Sequence, residues 1–368
     1  MNKPDLKEVA IKEKRLLDFL DLHGFDAAVI GRSDNFAWIT GGGESRVVLS
    51  SETGFSYLVI SRERKTLVAL VADSSKVLIE ELEGLGYCPD VLKWFEKTRE
   101  SRVLELVEGL RVISDIPLPG TDVRPDLFCG LYFPLTEKEI QKYRVLGKMT
   151  EQILYDAACA IRPGMTEYQV QGMLAGLYGE NDISISVMLI GSDRRIAAYR
   201  HCMPSGKEIE KLLLISPAVK KWGLHANVAC MVSFGEITED TKRRYEAVRE
   251  IEAEVISLST PGRTFSEILA VQKNMYQERG FGDEWQCHYQ GGVTGYMVSD
   301  PTLCMDKQNV LVGNQAYDWF ITITGAKGEE LTLNVDGVIE VPTVNGIWPM
   351  KTYRRNNVSV QLPDIMQL

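Results

Sequence analysis

ISPAVKKWGLHANVACMVSFG, residues 215–235, reads as two β-strands joined by a short connection. β-branched and apolar residues lie on either side of that connection. The two strands fall in the β-rich runs 211–219 and 226–234, and a third such run covers 315–323. Around these runs lie two copies of one helix start. RPGMTEYQVQGML begins at Arg162, and TPGRTFSEILAVQ begins at Thr260. Each has Pro-Gly, then Thr at an N-cap position, then Gln169 or Glu267 three residues later, which is the pattern of a capping box. The copies are 98 residues apart, too far for a solenoid repeat. A duplicated α/β half-domain accounts for them, with equivalent helices expected on one face of a curved antiparallel sheet about an approximate twofold axis.

Upstream, Thr136-Glu137-Lys138-Glu139 is a third capping-box pattern, opening a helix that runs towards Ile161. Near the start, Leu16, Leu17, Phe19, Leu20 and Leu22 repeat at helical spacing and stop at His23-Gly24. DAAVIGR then reads as a strand, SDNFAWITGGG as a second strand ending in glycines, and GFSYLVISRERKTLVAL as a hairpin. Four prolines between Pro117 and Pro134 suggest a linker over 114–133. Two domains are expected: 1–133, linker included, and 134–368.

The 368 residues are 45% hydrophobic and 25% charged, an ordinary globular composition. A net charge of -10 argues against general affinity for nucleic acid or anionic membrane. No apolar run is long enough to span a bilayer, and the charged amphipathic N-terminus is unlike a signal peptide. Seven scattered cysteines without a Cys-x-x-Cys pair suit buried thiols and a cytoplasmic location.

The frame of residues 215–235 resembles the metal-binding hairpin of the pita-bread metallopeptidases, namely aminopeptidase P, prolidase and methionine aminopeptidase, and of their metal-free relative creatinase. In those proteins the hairpin carries Asp-x-Gly and a second Asp eleven residues after the first. Here these positions fall on Ser216 and Asn227, with Gly223 keeping the turn. A hydroxyl and an amide bring none of the anionic charge that a hard dication requires. In HYQGGVTGYMVSDP, residues 288–301, the histidine ligand maps to Gly292 and the catalytic histidine to Ser299. The next ligand, a glutamate, maps to Trp319 or Phe320 in QAYDWFITI, with Asp318 close by. The last is kept as Glu329 in TGAKGEELTL. SDNFAWITGG is similar to a segment of the N-terminal domain of creatinase and prolidase. The resemblance implies an α/β (α+β) chain: a creatinase-like N-terminal domain, then a pita-bread domain with internal pseudo-twofold duplication. It implies no metal and no other cofactor, a small-molecule or short peptide substrate, and a homodimer.

His201, in YRHCMPSGKEIEK, sits where the family carries a substrate-facing histidine, and in creatinase the corresponding residue shuttles protons. An imidazole suits that task near neutral pH. The alternative is a solvated loop histidine beside Arg200. Glu329 is expected to hold a substrate cation or to orient His201, unless it is an exposed charge in a GAKGEE turn. Arg200, His288 and Tyr296 are the candidate substrate-binding residues, the last two flanking QGGVTG. That run is alternatively a glycine turn between strands. Cys202 is discounted as a nucleophile paired with His201, because adjacent side chains seldom face each other; Cys230 stands where the family has arginine. Three functions compete: a metal-independent hydrolase of a C–N bond in an amide, amidine or Xaa-Pro-like substrate; a non-catalytic relative binding a peptide, metabolite or partner in the same cleft; and a metallopeptidase with a rearranged site.

Overall fold

In the computed structural model, which describes residues 4–298 and 309–368, Asp5 caps the first helix by accepting from the backbone N–H groups of Lys7 and Glu8. The chain divides into two units, Met1–Lys138 and Glu139–Leu368. In the first, helix α1 (Leu6–His23) stops at Gly24 with φ 69°. β1 (Ala27–Arg32), α2 (Ser33–Ile39), β2 (Thr53–Ser61), β3 (Lys65–Leu70), α3 (Val71–Lys76), β4 (Cys88–Leu92), α4 (Arg99–Leu106), β5 (Val112–Ser114), β6 (Asp122–Val123) and α5 (Pro125–Cys129) follow. The six strands form one mixed sheet in the order β4-β3-β2-β1-β5-β6.

Two expectations are corrected in this unit. SDNFAWITGGG is not a strand: Ser33–Ile39 is helix α2. Every residue from Asn35 to Ile39 is buried, so burial has no two-residue alternation that could have held the segment in a sheet. Asn35 anchors the helix, donating to buried Asp115 at 2.9 Å and accepting from the Tyr132 hydroxyl at 2.7 Å. Burial pushes the Asp115 carboxyl up to about 6, while backbone N–H groups of Gly31 and Arg32 oppose the shift. Nor is 114–133 a linker. Strand β6 pairs with β5, and Phe128, Cys129 and Tyr132 are buried, so the proline-rich stretch closes the first unit.

The second unit opens with α6 (Glu137–Ala160), followed by α7 (Glu167–Glu180), β7 (Ser184–Ser192), α8 (Arg194–Ala198), β8 (Leu212–Lys221) and β9 (Leu224–Ser233). Then come α9 (Glu239–Leu258), α10 (Phe265–Glu278), β10 (Gly291–Thr294), β11 (Gln315–Trp319), β12 (Ile321–Ile323) and β13 (Ala326–Val335). The main sheet runs β10-β11-β13-β9-β8-β7. Read outward from the central β13/β9 pair, the strands of one half mirror those of the other. α7 and α10 are both 14 residues long and both open with a complete capping box. Their N-cap residues make matching isolated bridges, Thr166 to Glu208 and Thr264 to Val310. The hairpin turn at the centre is Trp222-Gly223, with φ 54° and 80°, the left-handed pair that two-residue hairpin loops favour.

Thr166→Ala and Thr264→Ala are each expected to cost about 1 kcal/mol of stability in urea unfolding, and serine in either place much less. An unchanged midpoint for both alanine variants would contradict the capping account. Among the described residues, no helix is long and apolar enough to cross a membrane.

Candidate active site

Strand pleating decides which side chains enter the cleft, because residues two apart share a face. On β13, Lys327 and Glu329 face one way, and Gly328 and Glu330 face helix α9. Gly328 permits the close approach: an added Cβ would lie 2.6 Å from Glu252 Oε2 and 2.8 Å from Val248 Cγ1. Glu330 has its own partners on that side, Thr343 Oγ1 at 2.6 Å and Arg249, which also pairs with Glu252. On the cleft side Lys327 and Glu329 are 6% and 4% exposed, so neither belongs to a solvated turn. Lys327 Nζ is 2.6 Å from Glu329 Oε2 and donates to Ser216 Oγ at 2.7 Å. Ser216 Oγ in turn donates to Glu329 Oε2 at 3.1 Å.

Asp318 completes this group. It pairs with Gly292 on β10 and Leu331 on β13 and is fully buried. Its Oδ2 accepts from Asn227 Nδ2, which also donates to the Val298 carbonyl at 3.2 Å. Burial first, and then the charge of Glu329, push the Asp318 carboxyl well above the usual carboxylate range. Of the residues at the end of β11, the one whose side chain joins this cluster is therefore Asp318. Trp319 points to the other face, where Nε1 donates to Ser259 Oγ at 2.9 Å and the ring packs on Phe265. Phe320 lies beyond the end of β11, against the rings of His288 and Tyr289.

The glycine run is neither a turn nor a ligand cradle. Gly291 and Gly292 are in strand β10, and a Cβ on Gly291 would fall 2.1 Å from the Asp318 carbonyl oxygen. What approaches Gly291 is neighbouring backbone. Tyr296, expected to bind substrate, is buried and donates to Glu139 Oε1 on α6 at 2.7 Å. It is a structural tether. Ser299 lies outside the described residues.

The family's metal pair can be tested against these side chains. A dication held by Glu329 Oε2 at roughly 2.1 Å would lie within about 4.7 Å of the Lys327 ammonium, given the 2.6 Å ion pair. At an effective dielectric near 20 that repulsion is on the order of 7 kcal/mol. Ser216 and Asn227 add no charge to offset it, and Gly292 adds no ligand. Among the described residues, no group of three or more His, Cys, Asp or Glu side chains is placed to hold a metal ion. The residues present do not fit the family's metal set.

His201 is paired with a second imidazole. Its Nε2 is 3.0 Å from Nε2 of His288, with the two ring planes at 78°. His288 Nδ1 faces the carbonyl of Tyr289, which can only accept, so His288 carries its proton there and its Nε2 is the acceptor. His201 then donates from Nε2 and leaves Nδ1 as a proton acceptor. Burial chiefly, then the charge of Lys327, pushes His288 down to about 4, so it stays neutral. This corrects the expected role of Glu329: its carboxylate is committed to Lys327 and Ser216, and the residue orienting His201 is His288.

Arg200 is held by Glu284 and by Thr324 Oγ1 at 3.0 Å, while its Nη1 is buried without a hydrogen-bond partner. Beside it lies a cavity of about 170 Å³, lined by Tyr199, Arg200, Cys287, Thr324 and Lys327 among others. Cys202 is fully buried, with Sγ directed at the carbonyls of Arg195 and Tyr199, and burial pushes its thiol up. Burial pushes the Cys230 thiol up to about 12. Neither is an activated nucleophile.

The low value for His288 has a measurable consequence. Its folded pKa of about 4 lies below the ordinary 6.5, so between these values the unfolded chain takes up a proton that the folded chain does not. Stability should fall as pH drops through that window, by on the order of 2 kcal/mol after allowing for the ring's partial exposure. His288→Gln should flatten this part of the profile in urea unfolding between pH 7 and 4; an unchanged slope would contradict the assignment.

Lys327 escaped the sequence reading, while Asp318 and His288 were named without their partners. Lys327 could have been found from the Lys-x-Glu spacing on a β-rich run, which puts both side chains on one face. The same alternation separates Asp318 from Trp319. The pairing of His288 with His201 spans 87 residues of chain and has no local signal.

Residues 141–316 match the model of metallopeptidase family M24. The Xaa-Pro dipeptidase of Pyrococcus horikoshii is 21% identical over 360 residues, covering 91% of this chain and 92% of that one. Among solved structures, the prolidase of Pyrococcus horikoshii OT3 superposes with a TM-score of 0.74 at 22% identity, over 90% of this chain and 98% of that one. Dipeptidase PepE of Mycobacterium ulcerans gives 0.76 at 16% identity, with 94% and 98% covered. The X-Pro aminopeptidase of Thermotoga maritima MSB8 gives 0.73 at 17%, with 97% and 99% covered.

Proposed function

We propose that this chain, a member of the pita-bread M24 family, is a metal-independent hydrolase that cleaves a C–N bond in a small amide, amidine or Xaa-Pro-like substrate. The observation that carries the reading is the His201–His288 pair, in which one neutral imidazole fixes the tautomer of the other. His201 Nδ1 would take a proton from water as the water oxygen bonds to the carbonyl or amidine carbon. The same nitrogen would return that proton to the leaving nitrogen as the C–N bond breaks. Lys327 and Arg200, both lining the adjoining cavity, supply positive charge near the oxygen or nitrogen on which negative charge develops. In this reading the working protein is a homodimer in the cytoplasm.

A panel of Xaa-Pro dipeptides, creatine-like amidines and small amides tests the proposal. Turnover of at least one, unchanged by excess chelator, is expected. A second reading, a binding protein that uses the same cleft, is favoured by one observation: Lys327 is committed to two groups of the protein itself, Glu329 and Ser216. Saturable ligand binding with no turnover across the panel would decide for it.

A further inference from the structure

We propose that Lys327 is the resident cation of this cleft, its ammonium group standing in the place that the family resemblance assigns to metal. Four observations converge. Lys327 Nζ contacts two side chains at mapped ligand positions, Glu329 at 2.6 Å and Ser216 at 2.7 Å. It is buried, in a setting where an unpaired charge is costly. Its direction is built into the strand: the close approach at Gly328 seats β13 on α9, so residues 327 and 329 both enter the cleft. Finally, the other buried cation nearby, Arg249, is on the opposite face and serves Glu252 and Glu330.

Charge balance explains why the substitutions belong together. A cluster with carboxylates only at Asp318 and Glu329 needs little compensation, and one ammonium supplies it. With aspartates at 216 and 227 as well, the cluster would be too negative for one lysine and suited to a dication. Ser216, Asn227 and Lys327 therefore act as one set, in which a covalently attached positive charge makes metal unnecessary. The inference is independent of whether the cleft turns over a substrate, because its test measures metal binding and stability.

The test titrates Mn²⁺, Co²⁺ and Zn²⁺ into metal-stripped proteins by calorimetry, with melting temperature read in parallel. Wild type should bind none stoichiometrically, and Ser216→Asp/Asn227→Asp should bind weakly, because the ammonium remains. Adding Lys327→Met to that pair leaves four carboxylates and no internal cation. This triple variant should bind at least one of the ions 100-fold more tightly than the double variant and melt higher in its presence. Equal affinity in double and triple variants, or stoichiometric binding by wild type, would overturn the proposal. If the triple variant does not fold, Lys327→Met is compared with Lys327→Met/Glu329→Gln. The proposal requires the second to melt higher than the first, since it removes the stranded carboxylate; a first variant as stable as wild type, or no recovery in the second, also overturns it.

Discussion

Lys327→Met should lower the stability of the second unit by about 3–5 kcal/mol, the usual result of removing one partner from a buried ion pair. The methionine fills most of the space, so the loss comes from charge: Glu329, 4% exposed, loses its cationic partner and keeps only the neutral Ser216 hydroxyl and its contact with Asp318 as side-chain partners. Thermal unfolding should shift down by roughly 10 °C for a unit of this size. A shift below about 2 °C would mean that the ammonium is not what holds this cluster together.

The second large effect is on rate. His201→Ala should lower turnover of any substrate found by about 10²–10⁴-fold, equivalent to roughly 3–5 kcal/mol of transition-state stabilisation. Its ring is exposed, and its hydrogen bond is to another side chain rather than to backbone, so melting temperature should hardly change. His288→Gln keeps an acceptor for His201 but loses the fixed tautomer, and an intermediate loss is expected. Steady-state kinetics on the three proteins, with KM and kcat separated, checks this. Turnover that survives His201→Ala would remove the imidazole from the mechanism.

Sequence carried the architecture of the second unit well, because its signals are local and repeated. The Pro-Gly-x-Thr pair marked two equivalent helices, and Gly223 marked the turn at the centre of the sheet. It carried the first unit less well: Ser33–Ile39 is a helix whose Asn35 is bound from Asp115 and Tyr132, far along the chain. In the cleft, sequence located Ser216, Asn227 and Glu329 but not what they do. That depends on Lys327 reaching across from β13 to β8, a contact separated by 111 residues. Tyr296 and His288 flank the same glycines, yet one is locked to Glu139 and the other to His201. Only their three-dimensional partners tell the two apart.

The most direct measurement is hydrolysis of the Xaa-Pro, amidine and amide panel by protein stripped of metal, assayed with chelator and then with added Mn²⁺ or Co²⁺. The account predicts turnover that is the same under both conditions and falls by about 10²–10⁴-fold in His201→Ala. Turnover that appears only when metal is added would contradict it.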